Sequence, residues 1–174
     1  MTVMCDEVRR VLERTPVILR GLLDGAPPSA IDFHEREGAW SPWQVLCHLA
    51  DAEITDWMPR LEVMMSNAEP RRFSPFDREG GLRRYAGWST SKLLSEFEQL
   101  RAANVAHLDT MRLTAADGQR TAVHPELGVV TLTQLLACWS THDLAHIAQI
   151  TRSLVRQRGP DVGPWRKYFS LLAD

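Results

Sequence analysis

The sequence predicts an all-α protein: a four-helix bundle with long connections between helices and a short helix near the C-terminus. Three observations carry this. Four stretches repeat apolar residues at steps of three and four. Two of them open on a Ser/Thr-x-x-Gln capping box, the signature of a helix start. No segment alternates apolar and polar residues in the way a half-buried strand does.

The first helix carries Val8, Val11, Leu12, Thr15, Leu19, Leu22 and Leu23 on one face. Pro16 falls inside it without changing the phase of the stripe, so the sequence reads as a kinked helix; Thr15-Pro16 as a cap and first turn is the alternative. Pro27-Pro28 and the polar residues after them read as a loop. The second helix starts at Ser41-Pro42-Trp43-Gln44, with serine as N-cap, proline at the first helical position and glutamine at the third. Val45, Leu46, Leu49, Trp57, Leu61 and Met64 form its apolar face, and Pro59 is expected to kink or end its regular part. Residues 67–88, with Pro70, Pro75 and Gly80-Gly81, read as a long irregular connection of the kind that often serves function.

The third helix is expected over 90–111, with Leu93, Leu94, Phe97, Leu100, Asn104 and Leu108 inward. Residues 114–130 read as loop or short extended structure. The fourth helix begins at Thr131-Leu132-Thr133-Gln134 and ends near Gly159-Pro160, with Arg152, Arg156 and Arg158 where cations suit a helix C-terminus. A short helix over 164–172 closes the chain. No linker or repeat divides the sequence, so 1–174 reads as a single domain, long enough to bury a core.

The net charge of −2 excludes a surface built to neutralise phosphates, so no nucleic-acid partner is expected. The uncharged stretch over 127–142 is too short and polar to span a bilayer, and the first residues lack the apolar run of a signal peptide. Cys5, Cys47 and Cys138 are odd in number and show no CxxC spacing, so they read as reduced thiols of a cytoplasmic protein.

The chemistry concentrates on three histidines. On the fourth helix, Leu132, Leu135, Leu136, Trp139, Ile150 and Leu154 define the buried arc, and His142 and His146 fall inside it. Their i,i+4 spacing stacks two imidazoles one turn apart, the way one helix supplies two ligands to a metal; two separately hydrogen-bonded core histidines are the plainer reading. His48 sits on the flank of the second helix's apolar face, where a bundle can bring it to the same point. Three neutral imidazoles suit one divalent metal ion, zinc foremost, with nickel, iron or manganese also accommodated, and leave a coordination position open.

The segment from Trp40 to Glu53, WSPWQVLCHLADAE, resembles the second-helix motif of the DinB/YfiT-like superfamily, and His142 to Ile150, HDLAHIAQI, resembles its fourth-helix motif. The resemblance covers nearly the whole chain, including the loop with His124-Pro125-Glu126-Leu127-Gly128. It implies a four-helix bundle, often dimeric, in which His48, His142 and His146 bind a divalent metal. It also implies a small-molecule substrate and, since that superfamily includes thiol-dependent transferases beside many members called hydrolases, transfer of a low-molecular-weight thiol as the preferred reaction. Metal-dependent hydrolysis of a small amide or ester, and a non-catalytic metal- or ligand-binding bundle, remain open. A DNA-binding role has no basic stripe to support it.

Carboxylates near the histidines are candidate catalytic or supporting groups. Glu53 and Asp56 lie within the apolar arc of the second helix; each reads as a salt-bridge partner of an arginine, or as an acceptor or general base near the metal. Asp51, one turn beyond His48, and Asp143, beside His142, are comparable candidates, Asp143 toward a ligand or another helix. Cys138, one turn before His142, reads as a small apolar residue or, alternatively, a thiolate ligand. His34, His107 and His124 read as surface or loop residues, and Trp43, Trp57 and Trp139 as core. The arginine pairs Arg71-Arg72 and Arg83-Arg84 read as solvated; Arg83 or Arg84 reaches a substrate carboxylate only if its loop folds over the site.

Overall fold

The computed structural model describes residues 3–173, with side chains from residue 6 onward. The order is α1 (Val3–Leu23), α2 (Pro28–Ile31), α3 (Pro42–Thr55), α4 (Trp57–Met65), α5 (Gly80–Arg84), α6 (Thr90–Thr110), β1 (Thr121–His124), β2 (Gly128–Thr131) and α7 (Leu132–Arg158). α1, α3, α6 and α7 form the bundle. α1 packs on α6 and α7, and α3 packs on the same two, so consecutive long helices α1 and α3 are not direct packing neighbours. Among the described residues no helix is long and apolar enough to cross a membrane.

Both capping boxes form. Ser41 Oγ accepts from Gln44 N while Gln44 Oε1 accepts from Ser41 N at 2.9 Å, and Thr131 and Gln134 repeat the arrangement at the start of α7. α1 runs unbroken through Pro16. The second long helix divides into α3 and α4 at Asp56, whose φ of −120° and ψ of −70° are not helical. The break lies upstream of Pro59 because a proline ring crowds the carbonyl four residues before it, here that of Thr55.

Two local features differ from the sequence reading, and residues 114–130, read as loop or short extended structure, hold short paired strands. Residues 121–131 form an antiparallel hairpin, with Thr121 opposite Thr131 and His124 opposite Gly128. Strands of four residues are too short to display a period. The 164–172 segment is two 3₁₀ stretches, Gly159–Tyr168 and Ser170–Leu172, because Gly163 adopts φ 58° and Pro164 follows. On α6 the buried face holds Arg101 and Val105 in place of Leu100 and Asn104, which are half-buried.

The apolar core is in two parts. One contains Leu12, Ala52, Trp57, Leu61, Leu108, Leu135 and Trp139; the other Leu19, Leu46, Leu49, Leu93, Phe97 and Ile150. Buried or half-buried polar residues lie where the two parts meet: Thr15 on α1, Asp51 and Glu53 on α3, Arg101 on α6, and His142, Asp143 and His146 on α7. Buried polar groups persist when paired: Arg101 binds both Glu53 and Asp143 at this level, while Arg101 Nε and His142 Nδ1 have no hydrogen-bond partner among the described residues.

Candidate metal centre

His48 is buried on α3, and His142 and His146 are half-buried on α7. The capping box and Pro42 fix where α3 begins and therefore the height of His48, one turn and a half along it; the i,i+4 spacing aligns the other two. The three rings converge through Nε2. His48 Nε2 and His142 Nε2 are 2.9 Å apart, His146 Nε2 and His142 Nε2 are 3.1 Å apart, and all three ligand atoms lie within 4.8 Å of one another.

Each ring is held from outside. His146 Nδ1 donates to Gln149 Oε1 at 2.8 Å, which leaves its Nε2 lone pair facing the other two rings. Trp57 meets His142 edge-on at 5.1 Å between centroids, and Trp57 itself stacks on Trp139 at 5.7 Å. Trp40 and Phe76 flank His48 at 5.0 and 5.4 Å. Burial lowers the pKa of all three imidazoles, to about 4 for His48 and about 2 for His142. All three are therefore neutral at neutral pH, the form in which imidazole ligates a metal.

This donor set fits a divalent ion. Three nitrogens converge on one point, and His142 Nε2 lies within hydrogen-bond distance of both others. In a neutral ring that nitrogen carries either one proton or one lone pair, so it cannot both give and accept along those two directions. A cation at the convergence satisfies three lone pairs together.

The carboxylates are engaged elsewhere. Glu53 and Asp143 are fully buried against Arg101, whose Nη2 donates to Glu53 Oε1 at 2.8 Å and to Asp143 Oδ1 at 3.0 Å. Trp139 Nε1 and Asn104 Nδ2 also donate to Glu53, at 3.2 and 3.0 Å. Burial pulls the Arg101 pKa down, but Glu53 and Asp143 more than reverse this and leave it raised. Asp51 takes Arg84 Nε at 2.6 Å, and Asp56 takes Arg60 Nε at 2.7 Å. Each of the four acids thus has an arginine partner.

The remaining candidates lie apart from the cluster. Cys138 is exposed, and Cys47 is buried, its thiol pushed up to about 12 by desolvation. Cys5 lies outside the described side chains. His34 Nδ1 bonds Ala39 O at 2.7 Å, and His124 Nδ1 accepts from Glu126 N at 3.1 Å within the hairpin turn. Trp43 Nε1 donates to Trp88 O at 3.2 Å, and Arg83 pairs with Asp77. The sequence reading missed Gln149, which i+3 spacing from His146 makes findable, and missed Trp40, Phe76 and Arg78, which come from loops without periodicity.

Residues 11–150 match the sequence model of the DinB superfamily. The chain belongs to that family. Across 157 residues it is 29% identical to "Putative metal-dependent hydrolase YfiT" of Bacillus subtilis (strain 168), covering 88% of this chain and 85% of that protein. A similarly named protein of Oceanobacillus iheyensis is 25% identical over 150 residues, which cover 86% of this chain and 85% of the relative. The solved structure of YfiT from Bacillus subtilis, a four-helix bundle of unusual topology, superposes with a TM-score of 0.75 at 26% identity, covering 91% of this chain and 90% of that one.

Proposed function

We propose that this chain is a divalent-metal-dependent enzyme in which His48, His142 and His146 hold one ion, zinc foremost, and that it transfers a low-molecular-weight thiol to an electrophilic small molecule. The convergence of three neutral Nε2 atoms within 4.8 Å carries the proposal. When bound, such an ion lowers the pKa of a coordinating thiol so that the thiolate dominates at neutral pH. The chain's own residues hold the geometry. Gln149 fixes the proton of His146 on Nδ1, Trp57 sets the plane of His142, and Trp40 and Phe76 shield His48 from solvent.

The absence of a carboxylate from the three-histidine cluster, among the described residues, favours a thiol over water as the nucleophile. Glu53, Asp143 and Asp51 are each bound to an arginine and are poor general bases there. A thiol with an ordinary pKa of about 8.5 needs far less assistance to ionise than water does. Hydrolysis of a small amide or ester is the second reading, favoured by the names of the relatives from Bacillus subtilis and Oceanobacillus iheyensis. A cytoplasmic homodimer belongs to the same proposal; exposed Leu127 and Val129 on the hairpin offer apolar side chains to such a contact.

The test is metal content by plasma mass spectrometry on untagged wild type, His48→Ala and His142→Ala, with thiol conjugation and ester hydrolysis assayed on the same samples. About one ion per chain, lost in both variants together with conjugation, is expected. Failure of wild type to take up zinc, nickel, iron or manganese overturns the proposal. Hydrolysis without conjugation replaces thiol transfer by the second reading.

A further inference from the structure

A cleft opens beside His146 between two loops, each pinned to a different helix. The 32–41 loop is held on α7: Arg152 Nε donates to Glu35 at 3.1 and 3.0 Å, and Ser153 Oγ donates to Phe33 O at 3.3 Å. The 67–88 loop is held on α3 by the Arg84–Asp51 pair and by Gly81, which packs against Cys47 and Asp51. The cleft encloses about 430 Å³, a volume that suits a small molecule.

The charged side chains lining it are Glu35, Arg36, Arg78, Glu79 and Arg152. Arg152 neutralises Glu35, which leaves two cations facing Glu79 and a single net positive charge. Arg78 is exposed and has no carboxylate partner among the described residues. Its guanidinium sits over the Trp40 ring at 5.9 Å, and Trp40 in turn lies 5.0 Å from the His48 ring. Beyond the burial that dominates, the Arg78 charge is felt at all three histidines. An unpaired guanidinium held on an aromatic face presents its planar fork to an incoming anion, and a carboxylate matches that fork in shape. One net positive charge suits one carboxylate better than a dianionic phosphate.

We propose that Arg78, seated on Trp40, is the carboxylate receptor of this cleft, so that the substrate whose sulfur reaches the three histidines carries a carboxylate. The inference rests on the thiol reading above for the sulfur, and on the cleft alone for the anion.

The probes are 3-mercaptopropionate and its neutral amide, 3-mercaptopropionamide, titrated into the full chain as wild type and Arg78→Gln. Cobalt–thiolate absorption of cobalt-loaded protein reports sulfur at the histidines. In metal-free protein, the Trp40 indole N–H signal in NMR, identified by its loss in Trp40→Phe, reports an anion at Arg78. Wild type is expected to bind the acid about tenfold more tightly than the amide, with only the acid shifting the Trp40 signal. Arg78→Gln is expected to abolish both differences while leaving the affinity for the amide unchanged. Equal affinities in wild type, a preference that survives in Arg78→Gln, or a Trp40 signal indifferent to the acid overturns the receptor. An Arg78-dependent Trp40 shift without cobalt–thiolate absorption from either probe upholds the receptor and removes the thiol reading.

Discussion

Pro16 and Arg101 meet through one carbonyl: the proline lacks the N–H that would close onto Leu12 O, and Arg101 Nη1 donates to that oxygen at 3.0 Å. A helix defect on α1 therefore becomes an acceptor for a buried cation on α6. The same guanidinium binds Glu53 on α3 and Asp143 on α7, so all four long helices are tied at one level. Asp143 directly follows His142 in sequence, and the tie fixes the rotation of α7 that aims the histidine inward.

Removing the centre of this layer strands two buried carboxylates. Arg101→Met is expected to destabilise the fold by about 3–5 kcal/mol in urea unfolding. Neutralising the partners as well, in Arg101→Met/Glu53→Gln/Asp143→Asn, is expected to recover at least about half of that loss, because the uncompensated charge is the main cost. A single variant as stable as wild type contradicts the account.

Asp56 gives a pH signature. Burial pushes its pKa up to about 6, with Arg60 pulling the other way. A carboxyl raised above its unfolded value of 3.8 favours the folded state when protonated; that stability is complete below the unfolded value and is lost as pH rises through about 6. Asp56→Asn cannot ionise. Relative to wild type, it is expected to gain about 1–2 kcal/mol between about pH 4 and about pH 8, read from urea midpoints at both ends. Parallel pH profiles for the two proteins rule this out.

Gly81 sets the distance between α5 and α3. A Cβ there lies 2.9 Å from Asp51 Cβ and closer still to the Cys47 carbonyl, which is backbone and cannot yield. Gly81→Ala is expected to cost about 1–3 kcal/mol and to speed hydrogen exchange over 80–85, as the Arg84–Asp51 pair loosens. Gly21, mid-helix, where an added methyl would meet nothing within 4 Å, is the control: Gly21→Ala is expected to stabilise by about 0.5–1 kcal/mol. Equal melting temperatures for the two variants contradict the close approach.

What was legible in the sequence is what repeats at helical spacing or starts a helix. Ser41/Gln44 and Thr131/Gln134 form the boxes their spacing predicts, and His142 and His146 share one face. The meeting of His48 with that pair is a tertiary fact, which the family resemblance anticipated and helix periodicity alone did not require. Arg101 is not legible as a core residue because arginine is ordinarily solvated, although it lies four residues after Phe97 and seven before Leu108, on the buried stripe. The hairpin is too short to show a period, and the 67–88 loop takes its shape from contacts such as Phe73 N to Val123 O at 3.0 Å, which join distant residues. Arg84 folds back onto Asp51, while Arg78, a residue without a sequence signal, reaches the cleft.

Gln149 offers a test of how the rings are held that does not depend on the reaction. Its Oε1 accepts the Nδ1 proton of His146 at 2.8 Å, which keeps the Nε2 lone pair directed at His142. Outer groups of this kind are worth about 10–100-fold in metal affinity. Gln149→Ala is expected to weaken zinc binding by that factor in competition with a chromogenic chelator, with little change in melting temperature of the metal-free protein, since Gln149 is only half-buried. Gln149→Glu, which keeps the acceptor and adds charge, is expected to bind zinc at least as tightly as wild type. Wild-type affinity in Gln149→Ala instead means that packing against His48 and His142 alone orients the His146 ring.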